Sequence, residues 1–397
     1  MNSFDEELDR RLAALRGQNL RRELRRVDSP PGTHMQMGGR TLLNFSSNDY
    51  LGLANDPQLK EAAIRAVEKY GAGSGASRLS CGSLAPHHEL EEILADFKGA
   101  PAALTFSTGY ATAIGTIGAL LGRDDVIILD KLVHACILDA ARLSGAKIRV
   151  FAHNDLDDLE NKLKWAAANS HHPSPDTRHA LIVTESVFSM DGDAAPLRDI
   201  VALKEQYGAW LMVDEAHATG LYGKTRRGLA EETGVSDRIE IQMGTLGKAV
   251  GASGGFICGS RTLIDFLVNR ARSFIFSTAP APAAAAAAAA GIRFIQSPNG
   301  EARRQLLWEM VGELQSKIEN RKSKITSAII PVLIGAEDKA VAASAALLER
   351  NIFVPAVRYP TVARGRARLR VTLTAAHAAD EINLLAAALG DIVNHKS

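Results

Sequence analysis

Between residues 102 and 258 the chain alternates short apolar runs with helical-looking segments. The runs cover 102–106, 126–129, 148–151, 180–184, 210–214, 239–243 and 255–258, and most are rich in β-branched residues. Short apolar strands separated by helices constrain the fold to an α/β domain with a mostly parallel sheet. In such a sheet the functional side chains are expected in loops at the carboxyl ends of the strands.

Beyond the alanine tract at 283–290 the pattern changes. A long helix over 301–320 precedes a strand at 328–334, a helix over 337–350, strands at 352–358 and 368–373, and a closing helix from Asp380. This predicts a large domain over 46–290 and a smaller C-terminal α+β domain over 291–397. Residues 1–45 read as a charged amphipathic helix, a Pro30-Pro31-Gly32 turn and a short strand, packed on the smaller domain. A length of 397 residues suits one large domain plus a smaller one, and 46% hydrophobic content supplies a core.

Charge narrows the function classes. With 46 basic and 45 acidic residues the net charge is +1, so no global field favours nucleic acid or a membrane surface. The run Arg21-Arg22-Glu23-Leu24-Arg25-Arg26 is a local exception, readable as a solvated helix face or as a contact for an anionic ligand. Cys81, Cys136 and Cys258 are odd in number and far apart, with neither metal-ligand spacing nor a disulfide framework, as expected in a reducing cytoplasm. The acidic start Met1-Asn-Ser-Phe-Asp-Glu-Glu lacks the apolar core of a signal peptide. The uncharged run 273–291 is weakly hydrophobic alanine broken by Pro280 and Pro282, which predicts a packed small-residue helix and not a membrane span.

The chemistry concentrates in two motifs, Val213-Asp-Glu-Ala-His217 and Met243-Gly-Thr-Leu-Gly-Lys-Ala249. Asp214 ends an apolar strand, where a carboxylate is costly to bury without a cation or donor. Alone it reads equally well as a helix cap or a structural ion pair. Lys248 in a turn of small residues changes that reading. A lysine that takes an aldehyde covalently, with a carboxylate that keeps a pyridine nitrogen protonated, is what pyridoxal 5'-phosphate chemistry requires.

Other residues fit around that pair. His217 can reach the cofactor's phenolic oxygen or a substrate carboxylate, and Ser189 can donate to the same oxygen. His134 follows the strand at 126–129, where its imidazole can stack on a pyridine ring; the bland reading is a histidine bonded to backbone at a helix start. Ser107-Thr-Gly-Tyr110 opens a helix, and its free N–H groups and hydroxyls make an anion site suited to a phosphate. Ser277 and Thr278 form a second hydroxyl pair that could reach a phosphate across a dimer interface. Gly71-Ala-Gly-Ser-Gly-Ala-Ser-Arg78 is a loop that lets backbone approach closely, but its spacing is not a dinucleotide fingerprint. Arg358 is a candidate carboxylate grip. A rival reading pairs Asp214-Glu-Ala-His217 with Gly223-Lys-Thr225 as a nucleotide-driven motor, but Ala218 stands where the P-loop needs glycine.

Assembled, these motifs resemble the α-oxoamine synthase family of pyridoxal phosphate enzymes. The likeness also rests on Asn44-Phe-Ser-Ser-Asn-Asp-Tyr-Leu-Gly-Leu53, Gly73-Ser-Gly75, Val187-Phe-Ser-Met-Asp-Gly-Asp193 and Ala367-Arg-Leu-Arg-Val-Thr-Leu373, and so spans nearly the whole chain. The resemblance implies fold type I, the aspartate aminotransferase-like architecture, and a homodimer. It implies Lys248 as the covalent anchor, Asp214 as partner of the ring nitrogen and His134 as the stacked ring. Ser189, His217 and Thr245 would contact the cofactor, and Gly109 and Tyr110 its phosphate. Arg22, Asn48, Arg358 and Thr361 match substrate-side positions. Leu246, Ala113 and Glu215 depart from the family's usual phenylalanine, asparagine and aspartate, which bears on substrate fit more than on chemistry.

The family member whose motifs match best joins L-alanine to a pimeloyl thioester and releases carbon dioxide. His134 or His217 would assist by protonation, and the sequence does not choose between them. A sister member joining glycine to acetyl-CoA is the alternative, and a non-catalytic protein that kept the fold is the reading from another class. No metal is called for.

Overall fold

The computed structural model describes residues 3–168, 179–317 and 327–394. They divide into two compact units. One comprises 51–189 and 193–304; the other comprises 1–50, 190–192 and 305–397.

The larger unit is built on a seven-stranded sheet. Its strands are β3 (Ala102–Phe106), β4 (Val126–Asp130), β5 (Lys147–Phe151), β6 (Ala180–Glu185), β7 (Trp210–Asp214), β8 (Ile241–Thr245) and β9 (Gly255–Gly259), numbered after two strands of the smaller unit. The spatial order is β3-β9-β8-β7-β6-β4-β5. Strands β5, β4, β6, β7 and β8 run parallel, and β9 is antiparallel to both of its neighbours. Each predicted strand is present to within a residue or two. Strands β3, β4 and β9 are buried along their whole length, which is why they read as continuous apolar runs and not as alternating ones. Ile127, Leu129, Leu181, Val183, Met212 and Ile257 form the centre of the core with Ile137 and Ala140 of the helix Ala135–Ser144. The alanine tract lies in the helix Pro282–Gln296, where Ala285, Ala288 and Ala289 are buried as it packs on the helices Pro57–Tyr70 and Ala85–Lys98. Small side chains let three helices approach, as a packed helix requires.

The smaller unit holds two three-stranded sheets. β1 (His34–Met37) and β2 (Arg40–Asn44) form a hairpin whose turn, Gly38-Gly39, takes positive φ at both residues; the hairpin replaces the single strand expected there. The second sheet contains β10 (Ile329–Gly335), β13 (Ala367–Thr372) and β12 (Ala356–Val357). The strand expected over 352–358 is two strands in two sheets. β11 (Ile352–Phe353) pairs with β2, and β12 pairs with β13. Pro355 stands between them; lacking an N–H, it cannot continue one ladder, and the chain changes partner there. The helix expected from 301 begins at Pro298 and is described to Lys317; 318–320 lie outside the described residues. No helix of the described residues is long and apolar enough to cross a membrane.

Candidate active site

Three neighbouring strands of the larger unit end in polar residues: β6 in Glu185, β7 in Asp214 and β8 in Thr245. Register places Glu185 opposite Asp214, and Asp214 opposite Met243. A cavity of about 190 Å³ opens at these carboxyl ends, lined by Glu185, Asp214, His217, Thr245 and Lys248, with His134 and Cys136 from the next strand-to-helix connection. The sheet topology thus gathers side chains far apart in sequence at its switch of direction. Lys248 Nζ lies 3.4 Å from Thr245 Oγ1, within one turn of its own strand.

The cavity is short of positive charge. Asp214 is 6% exposed and Oδ1 accepts the Ala216 N–H at 2.9 Å. Burial raises its pKa above the usual carboxylate range, while Lys248 pulls it back. Such a carboxylate is stabilised by a cation brought to it. His134 caps the helix Ala135–Ser144: its Nδ1 accepts the Cys136 N–H at 3.2 Å and lies 3.0 Å from the Cys136 sulfur. Burial pushes the Cys136 thiol up to about 12, so the sulfur keeps its proton. With Nδ1 accepting, the proton of the neutral ring sits on Nε2. Desolvation lowers the His134 pKa against the opposing pull of Asp214, which favours that neutral ring. The cap predicted as the bland reading is present, and the same side chain lines the cavity.

At another wall begins the helix Gly109–Leu120. Thr108 Oγ1 accepts the Ala111 N–H at 3.0 Å, and helix geometry leaves the Gly109 and Tyr110 N–H groups without intrahelical acceptors. Gly109 has no substitute: a Cβ there would lie 2.6 Å from Thr245 Cγ2. The helix start is held this close to β8 because neither Gly109 nor Gly255 carries a side chain. Anion-binding amides, a buried acid in want of a cation, and a lysine therefore converge on one cavity. That set fits pyridoxal phosphate.

Other predicted residues lie elsewhere. The Ser189 N–H donates to Glu185 Oε2 at 3.2 Å. Ser277 and Thr278 do not line the cavity; Thr278 instead bridges Ser77, and Ser74 Oγ donates to the Pro280 carbonyl at 2.5 Å. That is the close backbone approach for which the glycine loop at 71–78 is built. The P-loop reading fails on its amides: Gly223 N–H donates to Glu232 and Thr225 N–H to Glu231, so neither is available to a phosphate.

The substrate-side candidates belong to the smaller unit. Arg22 Nη2 donates to Thr361 Oγ1 at 3.2 Å, and Arg358 Nη2 reaches the Arg21 carbonyl at 3.4 Å. No carboxylate of the described residues pairs with Arg22 or Arg358, and burial, then Arg22 and Arg25, lower the Arg358 pKa. Asn48 Oδ1 accepts from Arg370 Nη1 at 3.1 Å.

Three residues escaped sequence reasoning, and of a fourth, Glu215, the sequence shows only its departure from the family pattern. Glu185 ends its strand as Asp214 does, so the same rule would have found it. Arg370 is the second arginine of the Ala367–Thr372 strand and is buried, which the sequence does not reveal. Lys98 and Glu215 form a fully buried ion pair at 2.5 Å, and Glu215 Oε1 also accepts the Ala230 N–H. This pair accounts for Glu215: the residue departs from the family's aspartate while serving the fold and not the cavity.

The model of aminotransferase class I and II matches residues 40–389. An 8-amino-7-oxononanoate synthase of Anaeromyxobacter sp. (strain Fw109-5) is 48% identical over 97% of this chain and 95% of its own length. One from Herminiimonas arsenicoxydans is 44% identical over 97% of this chain and 98% of its own. The chain belongs to the 8-amino-7-oxononanoate synthase family. Among solved structures the fold is shared with a serine palmitoyltransferase of Sphingomonas wittichii, at 31% identity and TM-score 0.89 over 99% of this chain and 98% of that one. A serine palmitoyltransferase of S. paucimobilis with bound PLP gives 29% identity and TM-score 0.90, covering 99% and 98%. The 8-amino-7-oxononanoate synthase of Francisella tularensis gives 28% and 0.74, covering 89% and 98%. Likeness of fold is thus shared across members with different substrates, and the family assignment rests on sequence.

Proposed function

We infer that this chain is a pyridoxal phosphate-dependent acyltransferase that condenses L-alanine with a pimeloyl thioester, giving 8-amino-7-oxononanoate, carbon dioxide and the free thiol, in biotin biosynthesis. The observation that carries the chemistry is the convergence of Lys248 and Asp214 on one cavity at the ends of adjoining strands. Sequence likeness to relatives named for that product carries the choice of member.

Pyridoxal phosphate supplies an aldehyde that takes an amine covalently and a protonated ring that accepts an electron pair. With the cofactor bound, Lys248 Nζ would hold its aldehyde and, when freed by the substrate amine, would be the base placed to take the proton from alanine Cα. Thr245 Oγ1 steadies Nζ for that exchange. Asp214 holds a positive ring nitrogen and so keeps the electron sink effective. The Gly109 and Tyr110 amides would hold the phosphate, and His217 and Ser189 would contact the ring. His134, neutral with its proton on Nε2, would face the ring and be fitted to give that proton to a developing oxyanion. In the balance of the reaction the alanine Cα–acyl bond forms, the thioester C–S bond breaks with the thiolate taking a proton, and the Cα–carboxylate bond breaks to release carbon dioxide, after which Cα takes back a proton. Arg22, Arg358, Thr361 and Asn48 of the smaller unit are the candidates for holding the anionic acyl donor and a substrate carboxylate, with Asn48 Oδ1 accepting from Arg370. The working assembly is a homodimer, in which Ser277 and Thr278 serve the neighbouring subunit's phosphate; sedimentation of the loaded protein as a monomer would remove that role.

The test is a matrix of amino acids and acyl thioesters offered to the loaded protein. L-Alanine with pimeloyl-CoA should give the nine-carbon amino keto acid and one equivalent of carbon dioxide. Faster turnover of glycine with acetyl-CoA would assign the sister activity instead.

A further inference from the structure

Glu185 is a cavity carboxylate to which the condensation assigns no role. Its side chain is 2% exposed, and its two oxygens are treated differently. Oε2 accepts the Ser189 N–H at 3.2 Å, whereas Oε1 is buried with no well-formed hydrogen bond among the described residues, although the His134 amide also draws on the carboxyl. A buried polar atom left unpaired is expensive, and native structures keep few of them without a reason.

The surroundings of Glu185 decide its charge. Asp214 faces it from the adjoining strand, Lys248 from the turn after β8, His134 and Cys136 from the helix start beyond β4, and His217 from the loop after β7. Against two carboxylates the cavity offers one ammonium, since Cys136 keeps its proton and His134 favours the neutral ring. Two acids on paired positions of buried strands cannot both ionise cheaply, so one retains a proton. Burial raises the Glu185 pKa most, then Asp214; Lys248 and the Ser189 and His134 amides oppose them and do not prevail. A neutral carboxylic acid in an apolar wall is a hydrogen-bond donor.

We propose that Glu185 is held as the neutral acid, that Oε2 positions Ser189, and that the proton on Oε1 is donated to an oxygen or nitrogen acceptor on the bound cofactor or its amino acid. The proposal rests on the cofactor reading of the cavity but not on the identity of the substrates. It makes Glu185 a ligand-binding residue beyond those that sequence likeness points to.

Infrared spectra of the full-length apoprotein, with glutamate carbon-13-labelled, test it without any turnover. The expected result is a neutral glutamic acid carbonyl band near pH 7 that disappears in Glu185→Gln. The band should move to lower frequency when pyridoxal phosphate is added, if the acceptor is on the cofactor. If the acceptor is on the amino acid, it should move only when L-alanine follows. A band absent from the parent protein, or one that neither addition moves, overturns the proposal. Cofactor titration of variants gives a second arm. Glu185→Gln keeps a neutral donor and an acceptor for Ser189, so its cofactor affinity should stay near the parent's, whereas Glu185→Ala should bind roughly tenfold more weakly. Glutamine as damaging as alanine would mean that the acid works as an anion. Failure of the substrate reading shows separately, as absence of the keto acid product from a protein that still binds cofactor with the band shift.

Discussion

The two compact units are charged in opposite senses where their candidate residues lie. In the larger unit Glu185 and Asp214 share a cavity with a single ammonium, and burial raises both acids. In the smaller unit Arg22 and Arg358 sit without a carboxylate partner. A fold does not leave buried or clustered charge unbalanced for its own stability. On the function proposed, the first imbalance would be met by a cation-bearing ring and the second by an anionic thioester. Loss of a group should therefore show differently in the two units, as a fall in kcat in one and a rise in KM in the other.

The largest effect should come from the larger unit. Lys248→Ala removes both anchor and base, and turnover should drop by at least about 10⁴-fold. Next, Asp214→Ala should cost on the order of 10²–10³ in kcat with cofactor still bound, because the ring nitrogen loses its fixed counter-charge. Retained kcat in either variant would break the contrast between the units.

Two histidines sharpen the contrast through pH. In the smaller unit His377 is stacked 4.4 Å from Phe45, accepts the Thr374 N–H on Nδ1 and bonds the Asn44 carbonyl through Nε2. Burial lowers its pKa from 6.5 to about 4. The unfolded chain therefore binds the proton first, and stability present above pH 6.5 is lost as pH falls toward 4, by up to about 3 kcal/mol. His377→Gln should flatten that acid limb in melts recorded against pH. In the larger unit burial works against a charged His153, but hydrogen bonds to Asp130 at 3.0 Å and Asp193 at 2.7 Å outweigh it and raise the pKa to about 10. Its contribution is complete below 6.5 and is lost as pH rises through 10; discounted for partial exposure it amounts to about 2 kcal/mol. His153→Gln should flatten the alkaline limb only. The smallest effect belongs to Arg358→Ala, expected to raise KM for the thioester about tenfold with kcat nearly unchanged. An equal loss in kcat would bring Arg358 into the chemistry and blur the division.

Much of this was legible in the sequence, for definite reasons. A central parallel strand is buried on both faces, so β4 and β6 announce themselves as apolar runs, and the polar residue that ends such a run stands out. Asp214 was found that way. Glu185 obeys the same rule, but its position opposite Asp214 comes from strand order, which no local pattern encodes. The tautomer of His134 likewise depends on the Cys136 amide and the cap geometry. In the smaller unit the two-residue strands β11 and β12 are too brief for periodicity, and Pro355 was the cue to their separation. The pairing of Lys98 with Glu215 joins residues 117 apart in sequence and is invisible without the fold.

The most direct test of the account is to find the lysine that holds the cofactor. Protein loaded with pyridoxal phosphate is reduced with borohydride, digested and mapped by mass spectrometry. The account predicts the pyridoxyl group on the peptide carrying Lys248, and its loss in Lys248→Ala. A pyridoxyl group on any other lysine of the parent protein, or none, would contradict the reading of the cavity.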